Sequence, residues 1–413
     1  MSQALRIPRI ALALPIAGLA RMRAAPLRRV MAGLTRGSLE VTTPDGVRVV
    51  HRASLPGPEA SVVLHRWRTL RRLAFGGDIA LAEAYGDGDW SSPDLAAVIE
   101  LGAVNGPELE RRIAGTALSR IGNRLAHLRR ANTRSGSARN IIAHYDLGND
   151  FFAGWLDAGM SYSSGIYRSA DTTLAEAQTA KQDRAIALLD LHGGESVLEI
   201  GIGWGGLAER ILAAHGGRLT GVTLSPAQLA WAQERMGRAG LAARADLRLQ
   251  DYRDVRGTFD RIVSIEMLEA VGEAYWPTYF RTLRERLAPG GVAVLQVITI
   301  AEDRYATYRR SADFIQRHIF PGGMLPTPRI VRDMAAAAGF RLDHEETFGA
   351  SYARTLGDWH RRFLHALPEV ARCGLDERFQ RLWRYYLAYC EGGFRAGAID
   401  VGFYRLHRAE DAA

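Results

Sequence analysis

The chain has 413 residues, with 53 basic and 45 acidic side chains and a formal net charge of +8. At about 100–200 residues per domain that length accommodates two or three domains, and 47% hydrophobic with 24% charged residues excludes wholesale disorder. Cys373 and Cys390 are the only cysteines, so neither a disulfide framework nor a cysteine zinc site can be built, and the expected setting is a reducing cytoplasm.

Residues 1–36 are rich in Arg, Ala and Leu and are broken by Pro8, Pro15 and Pro26. The apolar run Ile10–Ala20 is 11 residues long, too short to span a bilayer. Arg6, Arg9, Arg21 and Arg23 flank it like a signal-peptide core, but basic residues continue beyond it without a clear small-x-small cleavage site. Leu39–His51 reads as two strands around the turn Pro44-Asp45-Gly46. A further strand, Ala60–His65, is expected after a break at Pro56-Gly57-Pro58. Leu109, Ile113, Ala117, Ile121, Leu125 and Leu128 recur at helical spacing, with arginines on or beside the other face, which predicts an amphipathic helix over 108–130. Ala131–Ser137 reads as a linker, giving a basic α+β domain at 1–140 and a second domain at 141–413.

Charge follows that division. Residues 1–140 carry 21 arginines against 11 acidic residues, a net of +10, and the remainder is net −2. Such a segment calls for an anionic partner, either nucleic acid or acidic lipid headgroups. Lys181 is the only lysine, which reads as a matter of composition.

Beyond residue 140 apolar strands alternate with amphipathic helices, the pattern of a parallel sheet covered on both faces. Strands are expected at Ser196–Ile200, Arg218–Leu224, Asp246–Gln250, Asp260–Ile265 and Val292–Ile298, and two more near 340–348 and 399–407. Helices are expected at 173–191, 205–215, 226–239 and 274–288, with a long helical insertion over 353–395. The strongest chemical signal is Val197-Leu198-Glu199-Ile200-Gly201-Ile202-Gly203-Trp204-Gly205-Gly206. An apolar strand ends in a carboxylate two residues before a glycine turn that opens a helix. A phosphate would be repelled by Glu199, whereas the cationic methionyl part of S-adenosylmethionine suits it.

That turn, together with Gly221–Ser225 and Gln228, Gln250–Asp254, His144–Phe152, Tyr162-Ser163, Ile319–Gly323 and Tyr385-Tyr386-Leu387, resembles the cyclopropane-fatty-acyl-phospholipid and mycolic acid cyclopropane synthases. The resemblance covers about 139–407. It implies a seven-stranded class I methyltransferase fold and transfer of the methyl of S-adenosylmethionine to a double bond in an acyl chain. It implies that Glu199, Gly201, Gly203 and Gly206 cradle the methionyl end, that Thr223 and Gln228 bind the ribose, and that Asp251 and Tyr252 flank the adenine. Tyr162 and Ser163 would close over the cofactor. In the family a bound bicarbonate removes a proton from the methylated chain, held by a Glu, a Tyr, a His and nearby backbone. Glu269 and Tyr386 stand for the first two. Gln296 stands where the His is usual, Ser164 where a Cys is usual, and Ala270 where a further His is usual. Those departures bear on which proton leaves, and so on whether a cyclopropane or a methylated alkene forms.

The expected partners are an anionic phospholipid surface at the inner face of the membrane, a second copy of the chain in a homodimer, and an oxidoreductase that takes a methylated alkene onward. A metal has no place in this chemistry. Two other readings fit the sequence less well. Methyl transfer to a small molecule or acyl thioester leaves the aromatic-rich insertion unused: Trp359, Phe363, Trp383, Tyr385, Tyr386 and Phe394 suit a long apolar ligand. A nucleic-acid methyltransferase would want a base-flipping motif that the chain lacks, and its second domain is slightly acidic.

Overall fold

The computed structural model describes residues 25–106 and 147–408. The helix expected over 108–130, the linker, the boundary near 140, the apolar run Ile10–Ala20 and the start of the His144 motif lie outside them.

The N-terminal unit contains a four-stranded sheet in the order β2-β1-β3-β4, formed by β1 (Arg36–Thr42), β2 (Arg48–Arg52), β3 (Leu55–Leu64) and β4 (Trp90–Ser91). The hairpin of β1 and β2 turns where Pro44-Asp45-Gly46 places it. Pro56-Gly57-Pro58 does not break the chain, contrary to expectation. It is an irregular stretch inside β3, which pairs Arg36 with Leu55 and then Ser38 with Glu59. A Cβ on Gly57 would come within 2.8 Å of the Gly37 nitrogen, so the two backbones meet there because both residues are glycine. Helices Ala25–Met31, Arg68–Gly86 and Leu95–Val104 complete the unit, the second kinked at Gly77.

The second sheet has seven strands in the order β10-β11-β9-β8-β5-β6-β7. These are β5 (Ser196–Ile200), β6 (Arg218–Thr223), β7 (Ala245–Leu249), β8 (Phe259–Ile265), β9 (Leu287–Ile300), β10 (Phe340–Thr347) and β11 (Ile399–Arg408). β5 to β9 run parallel, and β11 lies antiparallel to both β9 and β10. All seven expected strands form, because the central ones, β5, β8 and β9, are largely apolar and buried along most of their length. The order reverses between β5 and β8, so a crevice opens beyond the carboxyl ends of β5 and β8, where ligands bind in such sheets.

The insertion is three helices, Gly349–His365, Leu367–Arg372 and Glu377–Arg395. Their apolar faces meet Phe151, Phe152 and Trp155 in an aromatic core with Trp359, Phe363 and Trp383. The outer side of helix Glu377–Arg395 receives the N-terminal unit. Tyr385 packs 5.7 Å from Tyr85 and edge-on to Trp90. A Cβ on Gly392 would lie 2.7 Å from the Ala96 carbonyl oxygen, so this contact exists only because position 392 has no side chain. Arg381 donates to the carbonyls of Tyr85 and Trp90, and Arg304 to that of Ala103. Residues 25–106 and the insertion therefore share one core. Among the described residues no helix is long and apolar enough to cross a membrane.

Candidate active site

A cavity of about 950 Å3 begins at the carboxyl ends of β5 and β6. Glu199, Gly201, Gly203, Gly206, Thr223, Gln228, Tyr252, Tyr162 and Ser163 all line it. Gly201 (φ 86°), Gly203 (φ 51°) and Gly205 (φ 82°) take left-handed conformations, which turn the chain from strand to helix within five residues. A Cβ on Gly203 would meet nothing within 4 Å, so that position borders open cavity. Gly206 is small for another reason: its Cβ would lie 3.0 Å from the Gly159 carbonyl oxygen.

Glu199 is buried, and its Oε2 has no partner. Burial pushes its pKa up to about 8, opposed by the charge of Lys181. A buried carboxyl with an unpartnered oxygen, beside an open glycine turn, suits an α-ammonium group. The residues thus fit the amino-acid end of S-adenosylmethionine. Thr223 and Gln228 bond to each other at 3.0 Å and present their edge to the cavity. Asp251 does not line it. Its carboxylate is taken by Arg253, with Nη2 at 2.6 Å and the backbone N–H at 2.9 Å; only the Tyr252 ring reaches the cavity.

Lys181 is the residue that sequence reading passed over. The one lysine is buried, lines the cavity and donates from Nζ to the Ser163 Oγ at 2.7 Å. Burial lowers its pKa, while Glu266, Asp157 and Glu199 oppose that shift. Its position was a signal: 181 falls on the buried face of helix Leu174–Leu189 with Leu174, Ala177, Gln178, Ala185 and Leu188.

The acid shift at Glu199 makes a prediction. In the free protein at pH 7 this carboxyl is largely protonated; paired with an ammonium it ionises, so binding expels a proton and strengthens as pH rises towards 8. Calorimetry with S-adenosylhomocysteine (SAH), in buffers of different ionisation enthalpy, should register a release of up to about one proton. Glu199→Gln should abolish the release, and an unchanged value in that variant refutes the assignment.

A second cluster sits at the carboxyl ends of β8 and β9. Glu266 lies just past β8 with φ 50°, a conformation that costs a residue with a side chain about 1–2 kcal/mol. Its Oε1 accepts from the Ser164 N–H at 2.9 Å and the Gln296 Nε2 at 2.7 Å, and its Oε2 from the Tyr352 hydroxyl at 2.7 Å. Glu269, one helical turn on, accepts the Ile298 N–H with Oε1, while Oε2 is buried without a partner. Burial, and secondarily the charge of Glu266, push Glu269 up to about 8. Both carboxylates line the cavity; Ser164 and Gln296 do not. Those two were expected to meet an anion directly. Instead they brace Glu266, because the short reach of Ser164 and the orientation of Gln296 leave them behind it.

Tyr386 lines the cavity as well. Its hydroxyl lies 2.8 Å from that of Tyr162, and Tyr352 provides the phenol at the Glu266 carboxylate. The side chain that occupies position 296 and the backbone N–H at 164 are thus spent on Glu266, so these residues do not fit a bicarbonate ion at that point. Glu266 had a sequence signal, being a Glu at the end of an apolar strand three residues before Glu269. Tyr352 had none. Among the described residues no group of His, Cys, Asp and Glu is placed to hold a metal ion.

Above the carboxylates the wall is aromatic, with Tyr162, Phe320, Tyr352, Tyr386 and Phe394. Beyond it the cavity continues along the inner face of the N-terminal sheet, past Leu39, Val41, Val62 and Leu64, to Met31 and Val98. The N-terminal unit is thus part of the cavity wall.

Residues 132–403 match the family described as mycolic acid cyclopropane synthetase. Tuberculostearic acid methyltransferase UfaA1 of Mycobacterium tuberculosis is 39% identical over 84% of this chain and 83% of its own length. Cyclopropane-fatty-acyl-phospholipid synthase of Escherichia coli is 37% identical over 80% of this chain and 83% of its own. Among solved structures, the cyclopropane synthase MmaA2 from Mycobacterium tuberculosis aligns with a TM-score of 0.62 at 32% identity, covering 65% of this chain and 98% of that one. The mycolic acid cyclopropane synthase CmaA1 complexed with SAH and CTAB aligns equally well, at 31% identity over the same shares. With the glycine turn, the unpartnered Glu199 and the seven-stranded sheet in place, this chain belongs to the mycolic acid cyclopropane synthetase family and is an S-adenosylmethionine-dependent methyltransferase of the class I fold.

Proposed function

We propose that the protein methylates the double bond of an unsaturated acyl chain carried by a membrane phospholipid, giving a cyclopropane or a methylated alkene. One observation carries this reading: a single cavity runs from the glycine turn, past an aromatic wall, to the apolar inner face of the N-terminal sheet. At about 950 Å3 it is at the upper end for ligand sites, and its far wall is mostly aliphatic, with Thr69, Asp78 and Trp90 as the exceptions. A small polar substrate would leave that wall unused. A relative named for fatty-acyl phospholipids supports the same choice.

S-adenosylmethionine, when bound, supplies an electrophilic methyl on a sulfonium. Glu199 holds its amino end, and the turn at Gly203 lets the backbone approach. An alkene is a weak nucleophile, so the apolar wall must hold the chain in line with the methyl. Attack leaves positive charge on the acyl chain, which the faces of Tyr162, Tyr352 and Tyr386 stabilise in a space cleared of water. A methylated alkene would then pass to a reductase if a methyl branch is the end product.

The substrate must be met at a bilayer. The net +10 of residues 1–140 and the exposed Leu55 and Phe75 of the N-terminal unit support docking on anionic lipid, each basic residue at the surface contributing about 1 kcal/mol. Vesicles of unsaturated phospholipid, incubated with the protein and methyl-labelled S-adenosylmethionine, should yield acyl chains heavier by one methylene unit by mass spectrometry. Sedimentation with anionic vesicles should weaken as salt rises. Label confined to a soluble thioester, or equal binding to neutral vesicles at all salt concentrations, overturns the proposal.

A further inference from the structure

We infer that Glu266 is the base that takes the proton from the methylated acyl chain, a carboxylate of the protein standing where the family resemblance would put a bicarbonate ion. The inference rests on the methyl-transfer reading above and deepens it. Three donors of different origin converge on this carboxylate: a backbone N–H from the segment before β5, an amide from β9 and a phenol from the insertion. That is a built anion site, and a side chain fills it.

Three further features fit. Glu266 holds a left-handed backbone, strain that a structural residue in this turn would not be expected to retain. Its carboxylate borders the cavity next to Tyr352 and Tyr386, where positive charge on the acyl chain would arise. Lys181 donates to Ser163, so its charge opposes the desolvation of the Glu266 carboxylate without bonding to it. Desolvation raises its pKa, which strengthens a base provided that it stays ionised.

The step balances without a co-reactant. The π pair of the alkene forms the new C–C bond as the C–S bond breaks, releasing SAH. A proton then leaves the new methyl or a neighbouring chain carbon for a Glu266 oxygen. The C–H pair closes the three-membered ring in the first case and forms a new double bond in the second. Glu266, now neutral, returns the proton to solvent after product leaves.

Two measurements on the full chain test this. The first is turnover on unsaturated phospholipid vesicles in CO2-free buffer, with and without added bicarbonate. The wild type should run at the same rate in both. Glu266→Gly removes the carboxylate, relieves the backbone and leaves the three donors around an anion-sized space. In CO2-free buffer its turnover should fall about a hundredfold, and bicarbonate or formate should restore about tenfold of that. Glu266→Gln, whose amide fills the space, should be as slow and not be rescued. Both variants should bind SAH within about threefold of wild type, which separates loss of the base from loss of the fold.

The second measurement is binding of 13C-bicarbonate by NMR, which requires no turnover. The glycine variant should bind it and the wild type should not. A wild type that binds bicarbonate or needs it for turnover, a glycine variant at full rate without it, or a folded glycine variant that neither binds nor responds to it, overturns the inference. If phospholipid is the wrong substrate, the wild type turns over nothing and the binding comparison alone decides.

Discussion

Gly203→Val is expected to weaken SAH binding by at least about a hundredfold, equivalent to about 2.7 kcal/mol, while the protein still folds. A Cβ at 203 meets no protein atom within 4 Å, so the branch carbon of the added isopropyl group has room in the free protein, and the group projects into the space that the amino-acid end of the cofactor must cross. The penalty in the free protein is conformational. Position 203 has φ 51°, where a side chain costs about 1–2 kcal/mol, a fraction of the ~5–15 kcal/mol that holds a domain together. Gly203→Ala carries much of that backbone cost with less bulk and should bind SAH with intermediate affinity. Calorimetry beside thermal melts separates the two effects. Unchanged affinity in the valine variant would remove the glycine turn from the cofactor site.

Glu269→Gln is expected to lower turnover by about a hundredfold or more and leave SAH affinity within about twofold. The carboxyl is fixed on one side by the Ile298 N–H and is bare on the other. Its pKa of about 8 means that at neutral pH it carries a proton that it can donate or share, which an amide cannot reproduce. The same shift affects stability. The folded value lies above the unfolded one, so between about pH 4.5 and 8 the unfolded chain is ionised at this site while the folded chain is protonated. The unfolded state then binds fewer protons, and stability falls as pH rises through that window. Part of this fall belongs to Glu269 and should be missing from the melting curve of the Gln variant. A variant that keeps more than about a tenth of its turnover removes Glu269 from the chemistry.

Much of this protein is legible in one dimension because the information is local. The central strands are runs buried on both faces, and any chain bearing them must stack them into a sheet. The carboxylate at 199 and the glycines at 201, 203 and 205 are four parts of one turn, separated by single residues, so their spacing alone specifies a tight corner beside a negative charge. Positions 269, 164 and 296 could likewise be singled out from their place in short motifs.

The role of each residue was decided elsewhere. Ser164, Gln296 and Tyr352 come from three elements distant in sequence, and only the packed sheet and insertion show that all three end on Glu266, the first two behind it and Tyr352 at the cavity wall. Lys181 reads as a quirk of composition until helix Leu174–Leu189 is laid against the sheet and its ammonium is buried among acids. The N-terminal unit reads as a charged surface because charge can be counted along a chain, whereas a wall cannot. Its aliphatic residues become part of the site only when Gly392 lets helix Glu377–Arg395 close on Ala96. Hydrogen-bond geometry and burial depend on atoms brought within 3–4 Å by the whole fold, and no spacing rule along the sequence carries that information.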